Sequence, residues 1–262
     1  MLDVAKTATA SDILVGHWDA GTRTDALPAD CRPATRAEGY AVQAHLMART
    51  RAPLYGWKIA ATSVAGQRHI NVDGPLAGRI LAEKVFCEED AIPLDKSLMK
   101  LAEIEFAFRM ARDLPPRAEA YSVDEVLGAV ATLHPAIELP DTRYADCCAV
   151  GAAQLIADNA CGDRFILGAA SPEGWRSVDL AALEVDAEIV GKSRHPGVGR
   201  NVLGDPRIAL AWLVNELSGL GLTLHAGEVV TTGTCVVPIP VVAGDEVRAV
   251  FGPWGSVSAR FR

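Results

Sequence analysis

The apolar residues of this chain follow helical spacing in some stretches and strand spacing in others. Residues 1–50 carry an amphipathic helical pattern that glycine and proline divide into short pieces. Within it, the segment 36–50 places Ala41, His45 and Leu46 at helical spacing. This pattern predicts a helix that lies on a larger body.

A strand is predicted over residues 101–108, where large apolar side chains alternate with glutamate or alanine. One face would carry Ile104, Phe106 and Phe108. The opposite face would carry Glu103, Glu105 and Ala107. The two glutamates therefore share one side of the strand.

Two helices and a second strand are indicated downstream. Ser122 and Glu125 form a capping box that opens a helix predicted over residues 123–133. A short strand follows over 134–140 and is closed by proline. The clearest helix begins at Asp205-Pro206, an N-cap residue followed by proline at the first helical position.

The last part of the chain is rich in strands. The predicted strands are 229–232, 236–242, 247–251 and 257–261. Helices are interspersed with strands but show no regular βαβ rhythm, which favours a mixed α+β fold. We divide the chain into an N-terminal helical subdomain, residues 1–53, and a larger domain rich in strands, residues 54–262.

Composition excludes several classes of protein. The formal net charge is −8 with no basic run, which disfavours a nucleic-acid partner. The apolar stretches are shorter than the roughly 18 residues of a membrane span, and the beginning of the chain lacks a signal peptide. The six cysteines have neither zinc-site nor disulfide-framework spacing. We expect a cytoplasmic protein with reduced thiols and no membrane partner.

A metal site is one interpretation of the carboxylates. Glu103 and Glu105 lie two residues apart, roughly 6.5–7 Å along a strand, so both could reach one cation. The alternative is that both face water. Glu138 lies between apolar Ile137 and Leu139, where a glutamate is usually paired, protonated or bound to metal. Three carboxylates suit a hard ion such as Mg²⁺ or Mn²⁺.

Three further positions are candidates, each with a structural alternative. Lys58 lies in an apolar run, where it could have a lowered pKa and move protons, or simply bury its stem. Asp73 precedes Gly74-Pro75 and could be catalytic or a turn former. The turn 231–234 could bind a substrate carboxylate or be an ordinary turn.

These residues lie in segments that resemble the 2-keto-4-pentenoate hydratase family of the fumarylacetoacetate hydrolase-like superfamily. The matching segments occur in family order over nearly the whole chain. They are GWKIAATS (56–63), GPLAGRI (74–80), AEIEFAF (102–108), AIELPDTR (136–143), ADNA (157–160), GRNVLGDPRIALAWLVNEL (199–217), AGEVVTTG (226–233) and GSVSARF (255–261).

The resemblance implies a site, a fold and an assembly. It implies a highly twisted β-roll of the fumarylacetoacetate hydrolase C-terminal type with flanking helices, assembled as a homo-oligomer. Mg²⁺ or Mn²⁺ would be held by Glu103, Glu105 and Glu138. Lys58 and, less securely, Asp73 would take part in catalysis. Substrate would contact Thr232, Gly233, Thr234 and Cys161, the last where many relatives have serine.

The activity implied is hydration of a 2-hydroxy-2,4-dienoate to a 4-hydroxy-2-oxo acid in aromatic-compound catabolism. The metal would chelate the substrate's carboxylate and 2-oxygen, and protonation at C5 would precede addition of water at C4. A 4-oxalocrotonate-type decarboxylase and an acylpyruvate hydrolase are alternatives within the superfamily. A non-catalytic subunit complexed with a pathway decarboxylase is an alternative of another class.

Overall fold

The computed structural model of the protein describes residues 2–262, in which helices alternate irregularly with strands. The α-helices are α1 (Val4–Ala20), α2 (Arg36–Ala44), α3 (Val64–His69), α4 (Val123–Leu127), α5 (Ala152–Ala157) and α6 (Pro206–Gly219). The strands are β1 (Gly56–Ala60), β2 (Leu76–Ile80), β3 (Val85–Phe86), β4 (Ala91–Ile92), β5 (Leu101–Met110), β6 (Val130–Leu139), β7 (Arg164–Leu167), β8 (Glu184–Ile189), β9 (Ser193–Val198), β10 (Val229–Thr234), β11 (Ile239–Pro240), β12 (Glu246–Val250) and β13 (Ser256–Phe261).

The strands form two sheets with mixed pairing. The larger sheet has the order β2-β1-β10-β5-β6-β7-β3, and β11 pairs alongside β5. The smaller sheet has the order β4-β13-β12-β8-β9. β1 pairs parallel with β10 and antiparallel with β2, so the larger sheet does not arise from βαβ units. The predicted α+β class, with a strongly curled sheet and flanking helices, is confirmed.

The main core is built from one face of β5, from the smaller sheet and from α6. Ile104, Phe106 and Phe108 all belong to it, as the alternation along the sequence predicts. Phe106 meets Phe251 edge-on, with ring centroids 5.0 Å apart. Leu213 of α6 belongs to the same cluster. The opposite face of β5 is therefore left for Glu103 and Glu105.

The helices α1 and α2 pack against the segment that follows β6. Ala10 and Leu14 of α1 share a small buried cluster with Val42 of α2, with Tyr144 and with Ala157 of α5. The division of the chain at residues 53 and 54 stays a prediction, since the N-terminal helices share this cluster with the second domain.

The predicted packing face of the segment 36–50 is only partly correct: Leu46 is buried and His45 is half-buried, but Ala41 is not part of that face. Ala41 is exposed, whereas Val42 and Gln43 are buried. The Gln43 amide donates to the carbonyls of Ala77 and Ile156, at 2.9 Å each. The spacing of apolar residues did not predict the face of Val42 and Gln43. A polar residue, Gln43, is buried there because backbone carbonyls accept its hydrogen bonds.

The helix predicted over residues 123–133 is too long. Its capping box is confirmed: Ser122 Oγ accepts from the Glu125 N–H at 3.3 Å, and Glu125 Oε2 accepts from the Ser122 N–H at 2.9 Å. The helix ends at Leu127, and Val130 begins β6. Val130 fits both periodicities, and pairing with β5 decides between them.

The C-terminal strands are confirmed at three of four predicted segments, as β10, β12 and β13. The fourth, 236–242, pairs only at Ile239–Pro240. Pro238 and Pro240 lack the N–H groups that a longer ladder needs. The sequence interpretation did not include β9 and α3. No helix within residues 2–262 is both long and apolar enough to cross a membrane.

Gly56 tests the close approach of β1 to β10. A Cβ at this position would lie 1.8 Å from the Val229 carbonyl oxygen, an atom of the paired strand. We expect Gly56→Ala to lower the free energy of unfolding by about 3 kcal/mol or more, measured by chemical denaturation. Gly16→Ala in α1 is the control, because a Cβ there meets nothing within 4 Å. It should stabilise by roughly 0.5–1 kcal/mol, and equal losses in both variants would contradict the prediction.

Candidate active site

Three glutamates converge where β5 and β6 pair. Glu103 and Glu105 share one face of β5, and Glu138 of β6 lies directly opposite Glu103. One carboxylate oxygen from each residue lies within 4.8 Å of the others. Glu105 and Glu138 are buried, and Glu103 is partly exposed. The convergence predicted from the sequence is therefore present.

Burial makes this cluster electrostatically demanding. Burial, and after it the neighbouring charge of Glu103, raise the pKa of Glu105 to about 7 against the opposing effect of Lys58. Burial also raises the pKa of Glu138 well above its ordinary value, against the opposing effect of Lys58. Carboxylates this close cannot all ionise in a buried site unless positive charge compensates them.

The oxygens of the cluster are incompletely paired. Glu105 Oε2 accepts from the Gly233 N–H at 2.7 Å and from the Thr231 hydroxyl. In contrast, Glu105 Oε1 and Glu138 Oε1 are buried and accept no hydrogen bond from residues 2–262, and Glu138 Oε2 has only the Lys58 ammonium beside it, at 3.1 Å. Unpaired buried carboxylate oxygens in an all-oxygen donor set fit a hard divalent cation such as Mg²⁺ or Mn²⁺.

Lys58 supplies one positive charge beside the glutamates. It lies in the middle of β1, and its Nζ is 3.1 Å from Glu138 Oε2. The same Nζ donates to the Ala160 carbonyl at 3.1 Å. Gly78, its partner on β2, leaves room for the lysine stem, since a Cβ there would lie 3.0 Å from Lys58 Cδ.

The prediction of a lowered pKa for Lys58 is wrong. Burial does lower the pKa, but the carboxylates of Glu138, Glu103 and Glu105 outweigh that effect and raise it above its ordinary value. The apolar sequence neighbours suggested burial alone and did not reveal the carboxylates beside it. A divalent cation among these carboxylates would offset their charge.

A strained turn at residues 159–161 places a backbone carbonyl against Lys58. Asn159, Ala160 and Cys161 have φ values of 55°, 50° and 60°, a left-handed run that costs energy for residues with a Cβ. The Asn159 side chain holds the turn by accepting from the Arg79 N–H at 2.7 Å and donating to the Arg79 carbonyl at 2.9 Å. The turn aims the Ala160 carbonyl at Lys58.

A cavity of about 960 Å³ opens above the cluster. The residues predicted from the sequence that line it are Lys58, Glu103, Cys161, Gly233 and Thr234. Its other walls are mostly apolar and include Ile59, Leu76, Met99, Leu101, Leu155 and Val236. An apolar pocket with a few convergent polar groups is typical of a small-molecule site.

The structure places the threonines of β10 differently from the prediction. Thr232 does not line the cavity; its hydroxyl donates to the Phe106 carbonyl at 3.0 Å inside the sheet. Side chains alternate along a strand, so Thr232 points away from the glutamates. The Thr234 hydroxyl lines the cavity but donates to the Val236 carbonyl at 2.6 Å.

Cys161 lines the cavity from the strained turn. Its side chain is buried, and burial raises the pKa of the thiol above its ordinary value. The residue is therefore a neutral, weakly polar wall and not a nucleophile. Its contact with substrate stays a prediction.

Asp73 does not reach the cavity, which corrects the sequence interpretation. Its carboxylate is exposed and lies 3.3 Å from the Arg36 guanidinium at the surface. Water and Arg36 already satisfy this charge. Asp73 lies next in sequence to the hydratase-like segment 74–80, which suggested a role that the position of its side chain does not support.

Sequence reasoning missed five polar residues of the cavity: Thr62, Ser63, His69, Arg200 and Asn201. His69 is exposed and is the last residue of α3. Thr62 packs against Gly233, where a Cβ would lie 2.0 Å from the Thr62 hydroxyl. All except His69 lie in segments already matched to the hydratases, which was the available signal.

No family model matches the chain. It is 34% identical over 206 residues to the 2-keto-4-pentenoate hydratase of Burkholderia vietnamiensis strain G4, covering 79% of this chain and 77% of the relative. The chain belongs to the 2-keto-4-pentenoate hydratase family. Another relative, the 2-oxo-hept-4-ene-1,7-dioate hydratase of Escherichia coli, is 30% identical over 247 residues and covers 90% of each chain.

A solved structure of a decarboxylase has the same fold over the whole chain. The 4-oxalocrotonate decarboxylase from Pseudomonas putida G7, complexed with magnesium and adipate, has a TM-score of 0.90 to this chain at 26% identity. The alignment covers 100% of this chain and 99% of the decarboxylase. The fold is that of the fumarylacetoacetate hydrolase-like proteins, as the hydratase resemblance implies.

Metal binding by this protein can be tested without any substrate. We expect Glu138→Gln to weaken Mn²⁺ binding by roughly 100-fold or more, measured by titration calorimetry, because it replaces a buried anionic oxygen donor. Mn²⁺ should also raise the unfolding temperature of the native protein but not that of the variant. Glu184→Gln, an exposed glutamate of β8, is the control. Unchanged affinity in Glu138→Gln would contradict the assignment.

Proposed function

We propose that this protein is a metal-dependent hydro-lyase that adds water to a 2-hydroxy-2,4-dienoate and gives a 4-hydroxy-2-oxo acid. This reaction would place it in the catabolism of aromatic compounds. The observation that carries the proposal is the convergence of three glutamates within 4.8 Å beneath a cavity, with a lysine beside them, in a member of a hydratase family.

In this proposal Glu103, Glu105 and Glu138 hold Mg²⁺ or Mn²⁺. When bound, the cation would supply Lewis-acid chemistry, stabilising negative charge on the 2-oxygen of the substrate. Glu103 is the ligand that faces the cavity directly, whereas the other two lie beneath it. The substrate's 2-oxo acid end would therefore bind over Glu103.

Lys58 is the group placed to move protons. It lines the cavity, and its Nζ is held between Glu138 and the Ala160 carbonyl. An ammonium group has three N–H donors, and two of those of Lys58 are taken by these acceptors. The third is left to donate into the open cavity. We propose that Lys58 gives a proton to the dienoate carbon C5 as the 2-hydroxyl group loses its own proton, and then helps to orient the water that adds its hydroxyl at C4 and its proton at C3. The apolar walls would limit other water in the site.

Turnover tests the proposal directly. Freshly prepared 2-hydroxypenta-2,4-dienoate should lose its ultraviolet absorbance with Mg²⁺ or Mn²⁺, giving 4-hydroxy-2-oxopentanoate, and excess chelator should stop the loss. Glu103→Gln should lower the rate by roughly 1000-fold or more, since Lewis-acid stabilisation contributes several kcal/mol. Glu184→Gln should keep full activity. A fully active Glu103→Gln enzyme would refute the metal assignment.

Lys58→Met separates proton transfer from metal binding. Methionine keeps an apolar stem of similar length but removes the ammonium group. We expect kcat to fall by roughly 10²- to 10⁴-fold, while Mn²⁺ affinity measured by calorimetry falls much less. Parallel loss of both properties would show that Lys58 serves the metal site and not the reaction.

Decarboxylation is a second candidate, favoured by one observation. The solved structure that aligns over the whole chain is named as a decarboxylase. Release of CO₂ from a 2-oxo-dioate such as 4-oxalocrotonate, with no hydration of dienoates, would replace our proposal. Hydration without CO₂ release would exclude this candidate.

The remaining expectations about assembly and location are also proposals. We propose a cytoplasmic homo-oligomer that acts on a small molecule, and a complex with a pathway decarboxylase is the alternative assembly. Support comes from the hydratase family membership and from exposed apolar side chains such as Leu98, Val237 and Val242. Light scattering of the purified protein measures the mass of the assembly.

A further inference from the structure

We propose that Arg200 selects a substrate with a second carboxylate at the end opposite the 2-oxo acid group. This inference rests on the proposed function for the orientation of the 2-oxo acid over Glu103. It goes further by naming the substrate class as a dioate and Arg200 as the specificity-determining residue.

Arg200 is an unpaired cation of the cavity wall. It lines the same cavity as Lys58 and Glu103 and is exposed there. Its guanidinium forms no hydrogen bond or ion pair with another residue of the described range 2–262. By comparison, Arg36 and Arg207 have carboxylate partners. A planar guanidinium with free donors is suited to bidentate binding of a carboxylate.

The other lining residues leave this role to Arg200. It is the one arginine among the residues of the described chain that line the cavity, and Glu103 is the one carboxylate. Because Glu103 belongs to the metal cluster, no acidic side chain of the lining is available to neutralise Arg200. An anionic group of a ligand would fill that position.

The backbone around Arg200 is fixed. The Arg200 N–H donates to the Ala181 carbonyl at 2.9 Å, and the Arg200 carbonyl accepts from the Gly204 N–H at 3.1 Å. Gly199 allows a close approach, since a Cβ there would lie 1.8 Å from the Leu180 carbonyl oxygen. The position of Arg200 is therefore set by main-chain contacts, and its side chain is free to engage a ligand.

The segment is also tied to the strands that carry the reacting groups. The Leu203 N–H donates to the Thr62 carbonyl at 2.7 Å, just beyond the end of β1, the strand of Lys58. The Asn201 amide donates to the Cys235 carbonyl at 2.8 Å, just beyond β10. These bonds join the segment of Arg200 to the ends of the strands that border the cavity shared with Glu103.

The size and chemistry of the cavity agree with a dioate. About 960 Å³ lies at the upper end of the range for ligand pockets, much more than a five-carbon acid fills. Apolar walls suit a carbon chain, whereas charged groups stand at Lys58, Glu103 and Arg200. The family relatives are named for both mono- and dicarboxylic substrates, so family membership does not choose between them. Arg200 favours the dicarboxylic class.

Binding of two unreactive compounds tests the inference. We would titrate the Mg²⁺-loaded protein with 2-oxoheptanedioate and with 2-oxoheptanoate, which share the 2-oxo acid end and differ in the distal carboxylate. The dioate should bind about tenfold more tightly, as one charge-assisted pair in a partly exposed site provides. Arg200→Gln should remove this preference and leave the affinity for the monoacid unchanged.

Arg194→Gln is the matched control. Arg194 lies on β9, is exposed, pairs with Asp186 and does not line the cavity. It should keep the native preference. Equal binding of both compounds by the native protein, or a preference that survives Arg200→Gln, would overturn the inference.

The outcome is distinguishable from failure of the proposed function. Neither compound is a substrate for hydration, so the binding preference does not depend on the reaction catalysed. A retained dioate preference without dienoate hydration would refute the hydratase proposal alone. Hydration of dienoates without any dioate preference would refute the role of Arg200 alone.

Discussion

The convergence of three carboxylates, two of them buried, beside one buried ammonium group is the constraint on which this structure depends. Charges removed from water are costly unless they are paired at close range. The pairing of β5 with β6 sets Glu103 opposite Glu138, and β10 brings donors to Glu105. The order of the larger sheet places β1, β10, β5 and β6 side by side, and each of these strands contributes one part of the cluster.

Small residues and strained backbone make the cluster possible. Gly78 accommodates the stem of Lys58, and the left-handed run from Asn159 to Cys161 directs a carbonyl to its Nζ. Such strain persists only where the surroundings fix it, here through the Asn159 side chain. These positions look like loop and packing details in the sequence, yet they determine where the lysine can lie.

The sequence predicted the floor of the site better than its rim. Alternation placed Glu103 and Glu105 on one face, and the apolar neighbours of Glu138 indicated burial, because both signals are local. The prediction that Asp73 lies in the site was wrong, because no local sequence pattern indicates whether a loop side chain points inward or outward. Thr232 failed for a different reason: the period of two assigns Thr231 and Gly233, not Thr232, to the face of Glu105. The helix that ended early at Leu127 reflects strand pairing, which overrides helical spacing.

The contacts that hold the segment around Arg200 involve mainly main-chain atoms. Bonds from the N–H groups of Arg200 and Leu203 survive any side-chain replacement other than proline. The rim can therefore accept many side chains at little cost in stability, whereas the floor tolerates few. Substrate specificity can therefore change during evolution while the reacting groups stay constant. One scaffold can give rise to enzymes that catalyse the same reaction on different substrates.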